Sequence, residues 1–132
     1  MQELITGVAH IGIRVANLER SRAFYALLGF ELSAGPLGTE PVAILNHPSG
    51  VEINLILNAS TGLDHNVLMD EPVKHAGYTH VALLCADIAA AQARLEAAGV
   101  ALSGGPVTFP GGQRAIFIRD PDRNVIELHE RH

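Results

Sequence analysis

Alternating apolar and polar positions mark one stretch of the chain that occurs twice. Residues 5–15 are rich in β-branched and apolar side chains, and their alternate positions form two faces, which predicts a strand. His10 lies on the less apolar of these faces. Residues 78–85 repeat the pattern with His80 inside it and predict a second strand of the same kind.

Three landmarks recur at a spacing of 70 residues. They are the pairs His10 and His80, Asn17 and Asp87, and Gly29 and Gly99. An asparagine or aspartate can cap the first free N–H groups of a helix, and a glycine can end a helix in a left-handed conformation. The spacing therefore predicts an internal duplication in which each copy carries a histidine strand followed by a capped helix.

The remaining turn signals predict the same element order in both halves. In the first half, a strand starts at residues 30–32, and a loop at 34–40, a strand at 42–45, a turn at 47–50 and a strand at 51–57 follow. In the second half, a strand opens at 100–102, and turns at 104–106 and 110–112, a strand at 114–118, a turn at 120–124 and a strand at 125–129 follow. Each half is a β-α-β-β-β module.

The predicted fold class is therefore α+β, with two tandem βαβββ modules in one domain. Module one covers 1–58 and module two covers 77–132, with a polar connection at 59–76. A short turn or strand is expected near 67–69. Connections of this length often act as a lid or a dimer contact.

Composition and charge narrow the class of protein. Apolar residues make up 48% of the 132 residues and charged residues 17%, which suits a packed core. The net charge of −5, without a basic cluster, argues against a nucleic-acid partner. No apolar run approaches the roughly 18 residues of a membrane span. The single cysteine, Cys85, and the lack of a visible secretory signal predict a cytoplasmic protein.

Four motifs, taken in order, make the chain similar to a known family. They are VAHIGI at 8–13, FYALLGF at 24–30, YTH at 78–80 and RDPDRNVIEL at 119–128. With them the chain resembles the vicinal oxygen chelate (VOC) superfamily, which includes glyoxalase I, methylmalonyl-CoA epimerase, extradiol dioxygenases, fosfomycin-resistance thiol transferases and bleomycin-binding proteins. The resemblance implies a curved, cup-shaped mixed sheet, the glyoxalase/VOC fold, that holds a divalent metal ion by ligands from the first and last strands of each module.

Carried over position by position, the resemblance implies a set of metal ligands. The first strands contribute His10 and His80, and the last strand of module two contributes Glu127. Aligning residues 48–55 with 121–128 without a gap places Asn54 where glyoxalase I has a fourth ligand, a Glu. Glu52 lies two residues earlier and therefore on the same face, so it is the substitute for Asn54 as a ligand.

The chemistry of these residue types points to a metal independently. Two neutral imidazoles and one carboxylate bind first-row divalent ions, here Fe, Mn, Ni, Co or Zn. Open coordination positions let a substrate with neighbouring oxygens chelate the ion, which then stabilises an enolate. Asn54 is a weaker, neutral donor, so the site would have one negative charge fewer than a site with two glutamates.

We therefore expect a metal-dependent, glyoxalase-like lyase or isomerase of a small-molecule substrate, with Glu127 also moving a proton. Two other enzymes are alternatives. An extradiol-type dioxygenase is disfavoured because Phe117 stands near where those enzymes have a tyrosine. A fosfomycin-type thiol transferase is disfavoured because Gly12 replaces a residue with a hydroxyl group. The third alternative is a metal-free, bleomycin-resistance-like binding protein. The resemblance also implies a homodimer.

Several other polar residues are weaker candidates for the site. His129 shares the face of Glu127, and a role in the pocket is one interpretation of it. Gln113 and Arg114 are candidates for contact with an anionic substrate, although a solvated hairpin is the preferred interpretation of both. His47 and His75 lie beside turn residues and are expected at the surface or at the mouth of the pocket.

Overall fold

The computed structural model describes residues 1–61 and 65–131. It divides into two compact units, Met1–Thr61 and Gly62–His132. Residues 62–64 of the predicted connection and the terminal His132 lie outside the described residues. The described part of the connection from residue 65 onward groups with the second unit.

The two units have the same element order. The first contains β1 (Ile11–Arg14), α1 (Leu18–Leu27), β2 (Glu31–Leu37), β3 (Val42–Asn46) and β4 (Glu52–Ile56). The second contains β5 (His80–Cys85), α2 (Ile88–Ala97), β6 (Gly104–Thr108), β7 (Arg114–Arg119) and β8 (Val125–Glu130). The predicted α+β class with tandem βαβββ modules is confirmed.

Each unit has one four-stranded mixed sheet. The strand orders are β1-β4-β3-β2 and β5-β8-β7-β6. In both sheets the first strand of the unit pairs in parallel with its last strand, and the other pairs are antiparallel. The helix between the first two strands makes this parallel return possible, because parallel neighbours need a long crossover.

The predicted helix caps and helix ends are confirmed. The side chains of Asn17 and Asp87 each accept a hydrogen bond from the backbone N–H three residues further on, at 2.9 and 3.0 Å. Gly29 and Gly99 follow the helices with φ of 91° and 82°. These left-handed conformations are accessible to glycine at little cost, so both helices end where the sequence predicts.

Both histidine strands are shorter than predicted. The structure places β1 at Ile11–Arg14 rather than 5–15, and β5 at His80–Cys85 rather than 78–85. Each pairs with only one neighbour, so its length is set by the residues that β4 and β8 can offer in register. His10 therefore lies just before β1, in an exposed N-terminal segment.

The predictions at the Gly-Pro sequences are wrong. β2 continues through the loop predicted at 34–40 as far as Leu37, and β6 begins at Gly104, inside a predicted turn, rather than at 100–102. Both are edge strands with irregular register, where proline is tolerated because no neighbour needs its missing N–H. A Cβ on Gly35 would collide with the carbonyl oxygen of Val42, so glycine lets the backbones approach.

Alternation along the strands separates a core face from a polar face. In β4, Ile53 and Leu55 are fully buried, while Glu52 and Asn54 lie on the other face and are half-buried. The apolar core of the first unit also contains an edge-to-face aromatic cluster that joins α1 to the start of β2. Its members are Phe24, Tyr25 and Phe30.

Hydrogen bonds and ion pairs hold the described part of the connection against the turn before β8. The carboxylate of Asp70 accepts hydrogen bonds from Arg123 Nε at 2.8 Å and from the backbone N–H of Asn66 at 2.6 Å, and its Oδ1 lies 3.0 Å from an Arg119 nitrogen. The hydrogen bond from Arg123, followed by Asn66 and Arg119, holds the pKa of Asp70 well below its usual range. This cluster explains the two arginines of the 119–128 motif structurally.

We predict that Asp70→Asn lowers the free energy of unfolding by about 1 kcal/mol at pH 7, since charge-assisted hydrogen bonds are lost but the arginines are partly solvated. Because the native pKa is depressed, this stabilisation is fully present above the unfolded pKa of about 3.9 and declines as the pH falls toward the native value. Urea unfolding between pH 7 and pH 3 measures it.

Glu71→Gln is the matched control for this prediction, because it makes the same charge change at a neighbouring, more exposed carboxylate whose partner is His65. We expect it to leave the unfolding free energy nearly unchanged. A Glu71→Gln loss as large as that of Asp70→Asn, or a loss for Asp70→Asn that grows on acidification, would contradict the assignment.

Candidate functional site

The parallel strand pairs define equivalent positions in the two units. Gly12 of β1 lies opposite Asn54 of β4, and Ala82 of β5 lies opposite Glu127 of β8. Gly12 and Ala82 are themselves 70 residues apart. Asn54 therefore occupies in the first unit the position that Glu127 occupies in the second, as the alignment without a gap predicts.

His80 and Glu127 come together on the polar face of the second sheet. His80 lies opposite Val125, two residues before Glu127, so the two side chains project from adjacent strands on one face. Their Nε2 and Oε1 atoms are 3.3 Å apart. The carboxylate is largely buried, with 11% of its side chain exposed, whereas 35% of the His80 side chain is exposed.

The orientation of the His80 ring is set by its neighbours. Thr79 Oγ1 lies 2.9 Å from Nδ1 of His80, on the far side of the ring from Glu127. Phe117 of β7 packs edge-on against the ring at 6.1 Å between centroids. A hydrogen bond to one ring nitrogen leaves the other directed at the site, which is the usual arrangement of a metal-binding histidine. Thr79 belongs to the YTH motif at 78–80, and the motif alone predicts no role for it.

His129 contacts the other oxygen of the same carboxylate. Its Nδ1 atom lies 2.6 Å from Oε2 of Glu127, and its ring stacks on Phe109 at 5.1 Å and 24°. Glu127 therefore has an imidazole nitrogen beside each oxygen. The spacing of two residues from Glu127 predicts that His129 lies on the same face, as it does. Phe109 was not predicted, because its position against His129 depends on strand pairing that the local sequence does not encode.

The first unit brings His10 toward Glu52. Nδ1 of His10 lies 3.8 Å from Oε2 of Glu52, beyond hydrogen-bond distance, and 47% of the His10 side chain is exposed. Asn54 differs from both, because its Oδ1 atom is buried and has no hydrogen-bond partner among residues 1–61 and 65–131. A buried acceptor without a donor is costly, so this oxygen is available to a cation or to a ligand donor.

Arg114 is engaged within the protein rather than directed at a substrate. Its guanidinium forms a two-point interaction with Glu130, at 2.7 and 3.2 Å, and Glu130 also accepts the backbone N–H of Ile88 at the start of α2. The hydrogen bond from Arg114, followed by that from Ile88, lowers the pKa of Glu130 to about 2. Arg114 therefore has a structural partner, and this pair joins β7 to β8.

Two of the other histidines are a turn residue and an exposed residue. His47 packs on Phe30, and its Nδ1 accepts the backbone N–H of Ser49 at 3.0 Å, so it stabilises the turn at 47–50. His75 is exposed.

The candidate ligands are of side-chain types that bind a first-row metal ion, but they occur as one pair in each unit. Within the part of the chain that the structure describes, no three or more His, Cys, Asp or Glu side chains form a group able to hold a metal ion. The second unit offers His80 with Glu127, and the first offers His10 with the unpaired Asn54 oxygen. Imidazole nitrogen and carboxylate oxygen are ligands that such ions accept, and a cation would satisfy Asn54 Oδ1. Each pair alone falls short of the three protein ligands usual in a catalytic site.

The described structure thus has two βαβββ units, with a histidine just before β1 and another at the start of β5, and with an amide and a carboxylate at equivalent positions of β4 and β8. The family model of the Glyoxalase/Bleomycin resistance protein/Dioxygenase superfamily matches residues 7–128, and the chain belongs to this superfamily. The family resemblance of the four motifs is thereby confirmed. No described helix has the length and apolar character needed to cross a membrane.

Solved structures with the same fold include proteins of different function. TnmS3, an antibiotic binding protein from Streptomyces sp. CB03234, is 26% identical over 98% of each chain, with a TM-score of 0.73. A glyoxalase family protein from Enterococcus faecalis is 24% identical over 94% of this chain and 97% of that one, with a TM-score of 0.76. Lactoylglutathione lyase from Agrobacterium tumefaciens is 18% identical over 96% and 95%, with a TM-score of 0.69. The last two show the shared fold alone.

A search of curated proteins found no significant match.

Proposed function

We propose that the protein is a metal-dependent, glyoxalase-like lyase or isomerase of a small substrate with neighbouring oxygen atoms. The ligands in this proposal are His10, His80 and Glu127, with Asn54 as a fourth donor and Glu52 as its substitute. The observation that supports it most is the 3.3 Å approach of His80 Nε2 to Glu127 Oε1, with Thr79 beside the other ring nitrogen. A pair oriented in this way is suited to share one divalent ion.

The bound ion would supply the polarisation that stabilises an enolate or a related anion of the substrate. The protein supplies the proton transfer. Glu127 is a buried carboxylate on the polar face. In this proposal it moves off the metal, takes a proton from a substrate carbon and returns it. Asn54, at the equivalent position, has no proton-accepting carboxylate. In this proposal Glu127 therefore performs both transfers.

We expect the wild-type protein, purified without a histidine tag, to contain one equivalent of Fe, Mn, Ni, Co or Zn per chain. His10→Ala and His80→Ala each remove a ligand and are expected to lose most of the ion while the circular dichroism spectrum stays unchanged. His75→Ala, which removes an exposed histidine, is the matched control and should keep the ion. Elemental analysis of the four proteins is the measurement.

If the metal content of His80→Ala equals that of the wild-type protein, the proposed ligand set is wrong. A wild-type protein that holds no ion, even after reconstitution with each of the five metals, would contradict metal dependence itself and favour the second candidate below.

Asn54 and Glu52 can be separated by single substitutions. Because Asn54 Oδ1 is buried and unpaired, whereas the side chain of Glu52 is 31% exposed, we expect Asn54→Ala to weaken metal binding about tenfold and Glu52→Ala to change it less than about twofold. Asn54→Glu adds a negative charge and should tighten binding. Competition with a chromogenic chelator measures all three, and the opposite order for the two alanine variants would make Glu52 the ligand.

The second candidate is a metal-free protein that binds and sequesters a small molecule. The 26% identity to the antibiotic binding protein TnmS3 over almost the whole chain favours it, and so does the neutral Asn54 at the position of a family carboxylate. In this case the chelator-treated protein should bind an antibiotic probe such as bleomycin by calorimetry, and His10→Ala should leave the affinity unchanged. Binding that needs added metal, or that His10→Ala abolishes, would contradict it.

The other two enzyme activities have less support. A ring-cleaving dioxygenase would consume O₂ with catechols in the presence of Fe(II), yet Phe117, which contacts His80, has no hydroxyl group to orient such a substrate. A thiol transferase would need a polar group at the position of Gly12.

We further propose a cytoplasmic homodimer. Some of the large apolar side chains that are exposed in the described residues support a second copy as partner, among them Met1, Leu4, Ile5, Val8 and Tyr78.

A further inference from the structure

We propose that His129 is a positioning residue that fixes the Glu127 carboxylate, so that Oε1 faces His80 while Oε2 is held by a hydrogen bond. The position of the Glu127 carboxylate does not require a metal ion. Only the consequence for the geometry of a metal ligand rests on the proposed metal-dependent function. The arrangement of His80, Glu127 and His129 lies entirely within the second unit and is described by distances of 3.3 and 2.6 Å.

The direction of the hydrogen bond follows from the chemistry of the two groups. An ionised carboxylate has no proton to donate, so it can only accept. Nδ1 of His129 lies 2.6 Å from Oε2. In the proposed arrangement, Nδ1 carries the hydrogen and donates it to this oxygen. A bond this short to a charged acceptor is of the strong, charge-assisted kind. It predicts one particular tautomer, with the proton on Nδ1 of His129.

His129 is itself held in place, as a positioning residue must be. Its backbone pairs with Ala115 across β7 and β8, and Phe109 covers one face of its ring in a nearly parallel stack. Phe109 is fixed in turn, because its backbone N–H donates to the carbonyl oxygen of Gln113 at 2.8 Å and its own carbonyl oxygen accepts the N–H of Gly112. The β6–β7 turn thus fixes Phe109, and Phe109 in turn restricts the His129 ring that holds the Glu127 carboxylate.

The consequence concerns how Glu127 binds an ion. With Oε2 occupied by His129, the carboxylate offers one oxygen, Oε1, on the side of His80. Glu127 would then be a one-oxygen ligand, which leaves more of the coordination sphere open to the substrate. Groups that orient a ligand in this way typically change metal affinity 10- to 100-fold when they are removed.

The first test uses the metal-free wild-type protein and does not depend on any ion. Long-range ¹H–¹⁵N correlation spectra of the imidazole rings distinguish the two tautomers, and Glu127→Ala assigns the hydrogen-bonded one. We expect His129 to carry its proton on Nδ1 and to lose this preference in Glu127→Ala. A proton on Nε2 in the wild-type protein would overturn the inference.

The second test measures Co²⁺ affinity by competition with a chromogenic chelator. His129→Phe keeps the stacking on Phe109 but removes the donor, and we expect it to weaken binding 10- to 100-fold. In His129→Asn the amide nitrogen takes the place of Nδ1, so the affinity should stay within about threefold of wild type. His75→Phe controls for the loss of an imidazole elsewhere.

The outcomes separate this inference from the proposed function. Wild-type affinity in His129→Phe, or equal losses in His129→Phe and His129→Asn, would overturn the positioning role. A wild-type protein that binds no Co²⁺ would instead overturn the metal-dependent function, and the tautomer of His129 would still decide whether it orients Glu127.

Discussion

The parallel pairing of the first and last strands within each unit is the constraint on which the candidate site depends. This pairing sets Asn54 opposite Gly12 and Glu127 opposite Ala82. His80, at the start of β5, lies two residues before Ala82 and therefore on the same face, whereas the equivalent His10 lies just before β1. Since side chains alternate with a period of two, a shift of one residue in either register would turn these groups toward the apolar core. The core and the site are therefore specified by the same register.

A polar face that is largely buried requires partners for its charges, and the second unit supplies them. Glu127 as a whole residue is 8% exposed, and an imidazole nitrogen lies beside each of its carboxylate oxygens. The first unit is less complete, because the oxygen of Asn54 is buried without a donor and His10 is exposed beside Glu52. The duplicated modules have thus diverged in chemistry while keeping the same strand order, and the proton-transfer group of the proposed reaction lies in the second module.

Three arginines have structural roles that explain their presence without a contact to a substrate. Arg119 and Arg123 form ion pairs with Asp70, and Arg114 forms an ion pair with Glu130. Arg114, the cation that the sequence suggested as a contact for an anion, is therefore engaged in joining β7 to β8, and the two motif arginines join the connection to the turn before β8. This leaves the His80, Glu127 and His129 arrangement as the polar cluster most available for chemistry.

The sequence by itself determined the duplicated βαβββ order and the helices with their caps at Asn17 and Asp87, and the alignment of its two halves placed Asn54 at the position equivalent to Glu127. These features follow from local preferences and from the period of two, which are written into neighbouring residues. The tertiary structure decided which Gly-Pro sequences lie in edge strands rather than loops, how short the histidine strands are, and which side chains hold Glu127. Those outcomes depend on pairing with strands far away in sequence, as for Phe109 and His129, and no local pattern encodes them.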